Sequence, residues 1–166
     1  MDPFTHYLMP LAERAAAVLK RRKETVAVAE SSSAGLISAA LLAVPGASAY
    51  FIGGGVHYTR QSLLSLTGTS EAMFAGMHGA TEPWAMLIAR TQRSRCLATW
   101  GVGESGAAGP TGNRYGDPPG HTCLAVCGPT ERSRTLKTGS SDRYANMHAF
   151  AAAGLKLFVD VLEQQK

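Results

Sequence analysis

The sequence is short of several things, and each shortage excludes a class of protein. Only 7% of its 166 residues are aromatic and 17% are charged. No apolar run approaches the roughly 18 residues a bilayer-crossing helix needs, so no transmembrane helix is expected. The opening MDPFTHYLMP has no basic segment followed by an apolar one, so no signal peptide is expected. No GK[ST] phosphate loop and no GxGxxG spacing occur. Cysteine appears at Cys96, Cys123 and Cys127 only. An odd count without a signal points to reduced thiols and a cytoplasmic setting. Cys123 and Cys127, four apart on a strand, would lie about 13 Å from each other, beyond disulfide reach. A zinc site combining them with His121 is the weaker alternative to ordinary strand cysteines, and no metal is expected.

What is present describes one compact α/β domain. The hydrophobic share is 45% and the formal net charge is +4, from 16 basic and 12 acidic residues. At this length a single core is expected, with residues 1–7 standing outside the ordered part. The basic residues fall in small groups, 20–23, then Arg90, Arg93 and Arg95, then Arg132 and Arg134. The first two groups sit where helices should end, and there cations complement the helix dipole by about 0.3–1 kcal/mol each. No aromatics interleave with them, so nucleic acid is not an expected partner.

The spacing of Leu8, Leu11, Ala12, Ala15, Val18 and Leu19 predicts a helix closed by KRRK. Residues 25–29 read as a buried strand and 34–44 as a helix stopped by Pro45-Gly46. A glycine-broken strand over 48–58, a short helix over 60–66 and a longer one over 82–95, capped by Thr81, follow. Residues 96–103 read as a strand and 104–120 as a loop too long to be a mere connector. Two strands then form a hairpin, and Ser141 or Asp142 caps a last helix reaching about Glu163. Strands followed by helices, plus one hairpin, predict a mixed sheet with helices on both faces.

Four polar clusters sit on this frame. In VAVAESSSAG, a strand meets a helix through Glu30, Ser31, Ser32, Ser33 and Gly35. The three serines can cap the helix, bind phosphate or supply a nucleophile, next to free N–H groups that attract an anion. In GGGVHYTR, Gly54 marks a close approach, and His57, Tyr58 and Thr59 end the strand. ESGAAGPTG offers Ser105, Gly106, Gly109 and Thr111 as an anion-binding nest. In SSDRYANM, Arg143 lies in a helix's first turn, against the dipole, which implies another reason for its presence. Three of the clusters follow predicted strands and should converge in one crevice.

AESSSAGLISAALLAVPGAS, GGGVHYT, ESGAAGPTG and DRYANM follow one another as in the CinA C-terminal domain family, which the chain resembles from Leu8 to Leu162. The resemblance implies a three-layer α/β/α sandwich with a mixed, mostly parallel sheet, frequently oligomeric. It implies hydrolysis of the carboxamide of nicotinamide mononucleotide to nicotinic acid mononucleotide and ammonia, with no cofactor. The family pattern A-E-S-C-T-G-G places its candidate nucleophile at Ser31, with Ser32, Ser33 and Ala34 replacing cysteine, threonine and the first glycine. In G-G-V-V-x-Y-S-N-x-x-K, Tyr58 and Thr59 match, but Leu63 stands where the family has the lysine that looks like the base. In G-D-R-x-x-x-R, Arg143 matches and Met147 replaces the second arginine. T-G-I-A-G-P is kept in outline as residues 105–110, and the chain resembles a variant subgroup with CESGTAGPTGG-like and REANM-like motifs.

Two functions therefore compete. One is an amidohydrolase with Ser31 as nucleophile and His57 or Tyr58 helping in place of the lysine. Glu30, Ser32, Ser33, Gly35, Gly54, Thr59, Ser105, Gly106, Gly109 and Thr111 would line its substrate site, and Arg143 would hold the phosphate. The other is a non-catalytic module that binds a nucleotide or phosphorylated amide in the same crevice. A role on DNA is suggested only by the family's historical name.

Overall fold

The computed structural model describes residues 2–165, so the expectation for Met1 falls outside it. A helical turn, Phe4–Leu8, runs into α1 (Met9–Arg22), and both Phe4 and Leu8 pack on the core. The N-terminal segment therefore belongs to the packed domain from Phe4 onward. Then come β1 (Val26–Glu30), α2 (Leu36–Ala43), β2 (Phe51–Val56), α3 (Arg60–Thr67), α4 (Glu82–Arg95), β3 (Trp100–Ala107), β4 (His121–Cys127), β5 (Arg132–Lys137) and α5 (Arg143–Gln164).

The sheet order is β2-β1-β3-β4-β5. β1 pairs in parallel with β2 and β3, while β4 is antiparallel to both β3 and β5. Four strands thus share one direction, the mixed, mostly parallel sheet of an α/β/α sandwich. α1, α2 and α5 cover one face around Trp100, Phe158, Leu41 and Leu124. α4 covers the other, with Ala85 and Ala89 against Cys123, Ala125 and Cys127. Gly103 lets α4 come close: a Cβ there would lie 2.2 Å from the Ala85 carbonyl oxygen. α5 is long and apolar enough to cross a membrane. It is instead the core helix, with Leu155, Phe158 and Leu162 fully buried.

The basic groups on α1 and α4 do fall in last turns, as Lys20, Arg21, Arg22, Arg93 and Arg95. Asp142, not Ser141, caps α5 by accepting from the Ala145 N–H at 3.0 Å. The main departure from the sequence reading is β3. It starts at Trp100, since 96–99 close α4 and turn, and it runs on through Glu104, Ser105 and Gly106, which were expected in a loop. Glycine and serine are poor strand formers, but β4 supplies ladder partners as far as Ala107–His121, and backbone pairing outweighs propensity.

Candidate active site

β1 sits in the middle of the parallel strands, with β2 on one side and β3 on the other. The chain leaves β1 towards β2 and returns across it to β3, so the strand order reverses there and a crevice opens beyond the strand ends. A cleft of about 480 Å³ occupies that position. Ser31, His57, Tyr58, Thr59, Ser105 and Gly106 line it, together with Arg60, Trp84 and Asn113–Tyr115.

The turn after β1 explains its three serines. Glu104 reaches across from β3, fully buried. Its Oε2 accepts the N–H groups of Ser31 at 3.0 Å and Ser33 at 2.8 Å, and lies 2.8 Å from Ser33 Oγ. Its Oε1 accepts the hydroxyls of Ser32 and of Thr122, the latter at 2.8 Å. Glu30 is equally buried and stands next to Glu104, its Oε2 2.7 Å from the same Ser33 Oγ. Its oxygens accept the N–H groups of Ile37 at 3.0 Å and Ser38 at 2.8 Å and the Ser38 hydroxyl at 2.7 Å. Burial pushes the Glu30 carboxyl above its ordinary value. The sequence reading left these N–H groups for an outside anion. The chain's own carboxyls occupy them, and Glu30, Ser32 and Ser33 do not line the cleft. Ser31 does, and its hydroxyl makes no hydrogen bond among the described residues.

β1 and β2 pair as Glu30–Val56, and the His57 N–H donates to the Glu30 carbonyl at 2.7 Å. Ser31 and His57, the residues that follow the two paired strand ends, both line the cleft. His57 is 8% exposed. Its Nε2 lies 3.3 Å from Gln92 Oε1, while Nδ1 is buried without a partner. The Gln92 carbonyl can only accept, so Nε2 carries the hydrogen and Nδ1 keeps its lone pair. Burial lowers the pKa of the ring below the ordinary 6.5. The ring lies so close over Gly55 that a Cβ there would be 2.6 Å from Nε2.

Several expected contacts have a structural explanation instead. Gly54 faces Ser38, whose Oγ would be 2.1 Å from an added Cβ. Gly35, at φ +89°, forms the left-handed entry to α2. Gly109 is buried, with its carbonyl accepting from Arg143 Nη1 at 2.7 Å, and Thr111 is exposed outside the lining. Arg143 also donates to the Tyr58 hydroxyl at 3.1 Å and lies over its ring. It braces the rim and does not itself line the cleft. Leu63, at the position of the family lysine, is 2% exposed in an apolar cluster with Phe74 and Trp84.

Sequence reasoning missed the remaining lining. Trp84 stands in the first turn of α4, with Arg60 above its ring and paired to Glu71 at 2.6 Å. Asn113 folds the loop on itself, its Oδ1 accepting from the N–H groups of Tyr115 and Asp117. That presents Tyr115, stacked on His78 with centroids 4.5 Å apart, and Arg114 to the cleft. The clue was an asparagine four residues before an aspartate in a glycine-rich loop, an Asx-turn signature. Ala80 adopts a left-handed conformation at φ +58°. Ser105 Oγ accepts its N–H at 3.1 Å and His121 Nε2 lies 2.8 Å from its carbonyl oxygen. Backbone held in a sparsely populated conformation is common at sites.

Comparison with known proteins agrees with this architecture. The profile of the CinA C-terminal domain family matches residues 8–162. A CinA-like protein of Gloeobacter violaceus is 38% identical over 131 residues, covering 78% of this chain and 31% of that protein. One from Anaeromyxobacter sp. (strain K) is 37% identical over 147 residues, covering 87% and 36%. The chain thus spans about a third of the length of the curated relatives it matches. The crystal structure of a competence/damage inducible protein from Agrobacterium tumefaciens superposes with a TM-score of 0.85 at 25% identity, covering 95% of this chain and 96% of that one. A competence damage-inducible protein A from Klebsiella pneumoniae shares the fold, with a TM-score of 0.88 at 19% identity, covering 97% and 100%. By motif, profile and fold, the chain belongs to the CinA C-terminal domain family.

Proposed function

We propose that the cleft hydrolyses the carboxamide of a nicotinamide-nucleotide-like substrate. The single observation that carries this reading is that Ser31, whose hydroxyl makes no hydrogen bond among the described residues, lines the same cleft as His57, whose Nδ1 has no partner. A serine hydroxyl is a weak nucleophile until a base takes its proton. With Leu63 unable to act, His57 is the base. Ser31 Oγ attacks the amide carbon as its proton passes to Nδ1. The tetrahedral intermediate collapses, and the departing amine takes that proton and leaves as ammonia. Water, deprotonated by the same nitrogen, then releases the acid and restores Ser31.

The oxyanion donor is Tyr58. Its oxygen accepts from Arg143, leaving its own hydrogen for the developing charge. Trp84 and Tyr115 give the cleft an aromatic lining for a planar ring, and Arg114 offers charge to a phosphate, Arg60 being paired to Glu71. The test is ammonia release from nicotinamide mononucleotide by wild type, Ser31→Ala and His57→Gln. Each variant should lose about 10²-fold or more. Equal background rates in all three would remove the hydrolase.

The seat of Leu63 in an apolar cluster favours a second reading, a module that binds without turnover. Calorimetry against pyridine and adenine nucleotides separates the two. Saturable binding with no ammonia release supports the second, and no binding at millimolar concentrations removes it.

A further inference from the structure

Glu30 and Glu104 are both completely buried, on β1 and β3, and the Ser33 hydroxyl stands between them. Ser33 Oγ is 2.7 Å from Glu30 Oε2 and 2.8 Å from Glu104 Oε2. The other groups that β1, α2, β3 and β4 bring to the pair are hydroxyls and N–H groups, from Ser31, Ser32, Ile37, Ser38 and Thr122. No lysine, arginine or histidine among the described residues is hydrogen-bonded or ion-paired to either carboxyl. The titratable group that each faces is the other, through Ser33.

Counting hydrogens decides the charge. A hydroxyl carries one hydrogen and so donates to one acceptor. Two short oxygen–oxygen contacts at Ser33 Oγ need two hydrogens, and the second can come only from a carboxyl. Glu104 Oε2 already receives two N–H groups, from Ser31 and Ser33, besides the Ser33 hydroxyl, and three donors leave it no place for a hydrogen of its own. Glu30 Oε2 receives one, from Ile37, and has a place for a hydrogen. Two adjacent buried carboxylates without a cation would also repel strongly.

We infer that Glu30 and Glu104 share one proton through the Ser33 hydroxyl, with Glu30 protonated and Glu104 ionised, and that this pair is the positioning element of the Ser31 turn. The Glu30 O–H donates to Ser33 Oγ, and Ser33 donates to Glu104. The charge left on Glu104 draws in the Ser31 and Ser33 N–H groups, and this turns the Ser31 side chain to the cleft. The upward push of burial on Glu30 agrees with that assignment. The proton-sharing half stands whether or not Ser31 is a nucleophile. Only the word positioning rests on the hydrolase reading.

Infrared difference spectroscopy at neutral pH tests the pair directly, since exposed carboxyls are ionised there. Wild type should show the C=O stretch of a protonated carboxyl, moving on transfer to heavy water, and Glu30→Gln should lack it. The amide protons of Ser31 and Ser33 should exchange about tenfold slower in wild type than in Glu104→Gln, the effect of one charge-assisted hydrogen bond. A wild-type spectrum without the band overturns the proposal even if no variant folds. A band that survives Glu30→Gln overturns the placement of the proton. If the band is as expected while Ser31→Ala retains full ammonia release, the hydrolase reading fails and the shared proton stands.

Discussion

Arg143 at the start of α5 donates to the hydroxyl of Tyr58 at the end of β2, 3.1 Å away, while its other terminal nitrogen holds the Gly109 carbonyl at 2.7 Å. One guanidinium thus ties α5, the β2 exit and the β3–β4 loop together at the rim of the cleft. Its place in a first turn opposes the helix dipole, and these two contacts offset that cost. Arg143→Lys keeps the charge but cannot fork to both acceptors. It should cost about 1 kcal/mol by urea titration, because one partly buried carbonyl loses its donor. In the hydrolase assay both Arg143→Lys and Tyr58→Phe should lower kcat more than they raise KM if, as proposed, the contact they disturb serves the developing oxyanion.

Gly103 and Gly53 should respond oppositely to alanine. The Cβ at Gly103 meets the backbone of Ala85 at 2.2 Å, and a carbonyl in mid-helix cannot step aside. Overpacking of this kind costs about 1–3 kcal/mol. At Gly53 nothing lies within 4 Å of the added Cβ. Gly53→Ala should be neutral or stabilising by up to about 1 kcal/mol, through a less flexible unfolded chain. Thermal melts of the two variants check both signs.

His57 and Glu30 make stability depend on pH in opposite directions. The folded pKa of His57 lies below the unfolded 6.5, so between the two values the unfolded chain binds the extra proton. Its contribution is complete above about pH 6.5 and is lost as pH falls through the folded pKa. Glu30 has a folded pKa above the ordinary 4.5, so the folded chain holds the extra proton and stability declines as pH rises past that value. Urea midpoints across pH should therefore flatten on the acid side in His57→Gln. In Glu30→Gln they should lose the decline at higher pH.

Leu63→Lys would restore the lysine of the family pattern, and the structure predicts the cost. Leu63 is sealed among Phe74, Trp84 and Ile88. An ammonium there must leave water without a partner, while the apolar contacts of the leucine vanish. Together these should cost about 2–5 kcal/mol. Gain of ammonia release in that variant despite a lowered melting temperature would show that the lysine amine reaches Ser31 from α3.

Much of this was legible along the chain, and what was not depends on distance in sequence. The helices of 9–22 and 82–95 follow from apolar spacing and from caps within a few residues. Ser31, His57 and Ser105 could be placed in one crevice because loops after parallel strands must converge there. The partner of the three serines could not be read, since Glu104 lies more than 70 residues away and looked like the start of a loop. Nor could the seat of Leu63, because nothing local distinguishes a leucine facing the core from one facing a substrate. Arg143 invited a phosphate for the same reason: Tyr58 and Gly109 reach it only through the fold.

Ala34 offers a test of how this chain tolerates its departure from the family's first glycine. It is exposed and held at φ +56°, followed by Gly35 at φ +89°. Two successive left-handed residues are needed so that the chain can leave β1, return two N–H groups to Glu104 and still enter α2. A residue with a Cβ pays about 1–2 kcal/mol in that region. Glycine would relieve it, but would also give the unfolded chain more freedom, worth about 0.4–1 kcal/mol. Ala34→Gly should thus gain about 0.5–1 kcal/mol, with the Ser31 and Ser33 amides unchanged. Ala34→Val, whose branched side chain fits that conformation worse still, should lose about 1 kcal/mol or more. Chemical denaturation of both variants reads the two signs, and a loss in Ala34→Gly would mean that the left-handed turn is not strained.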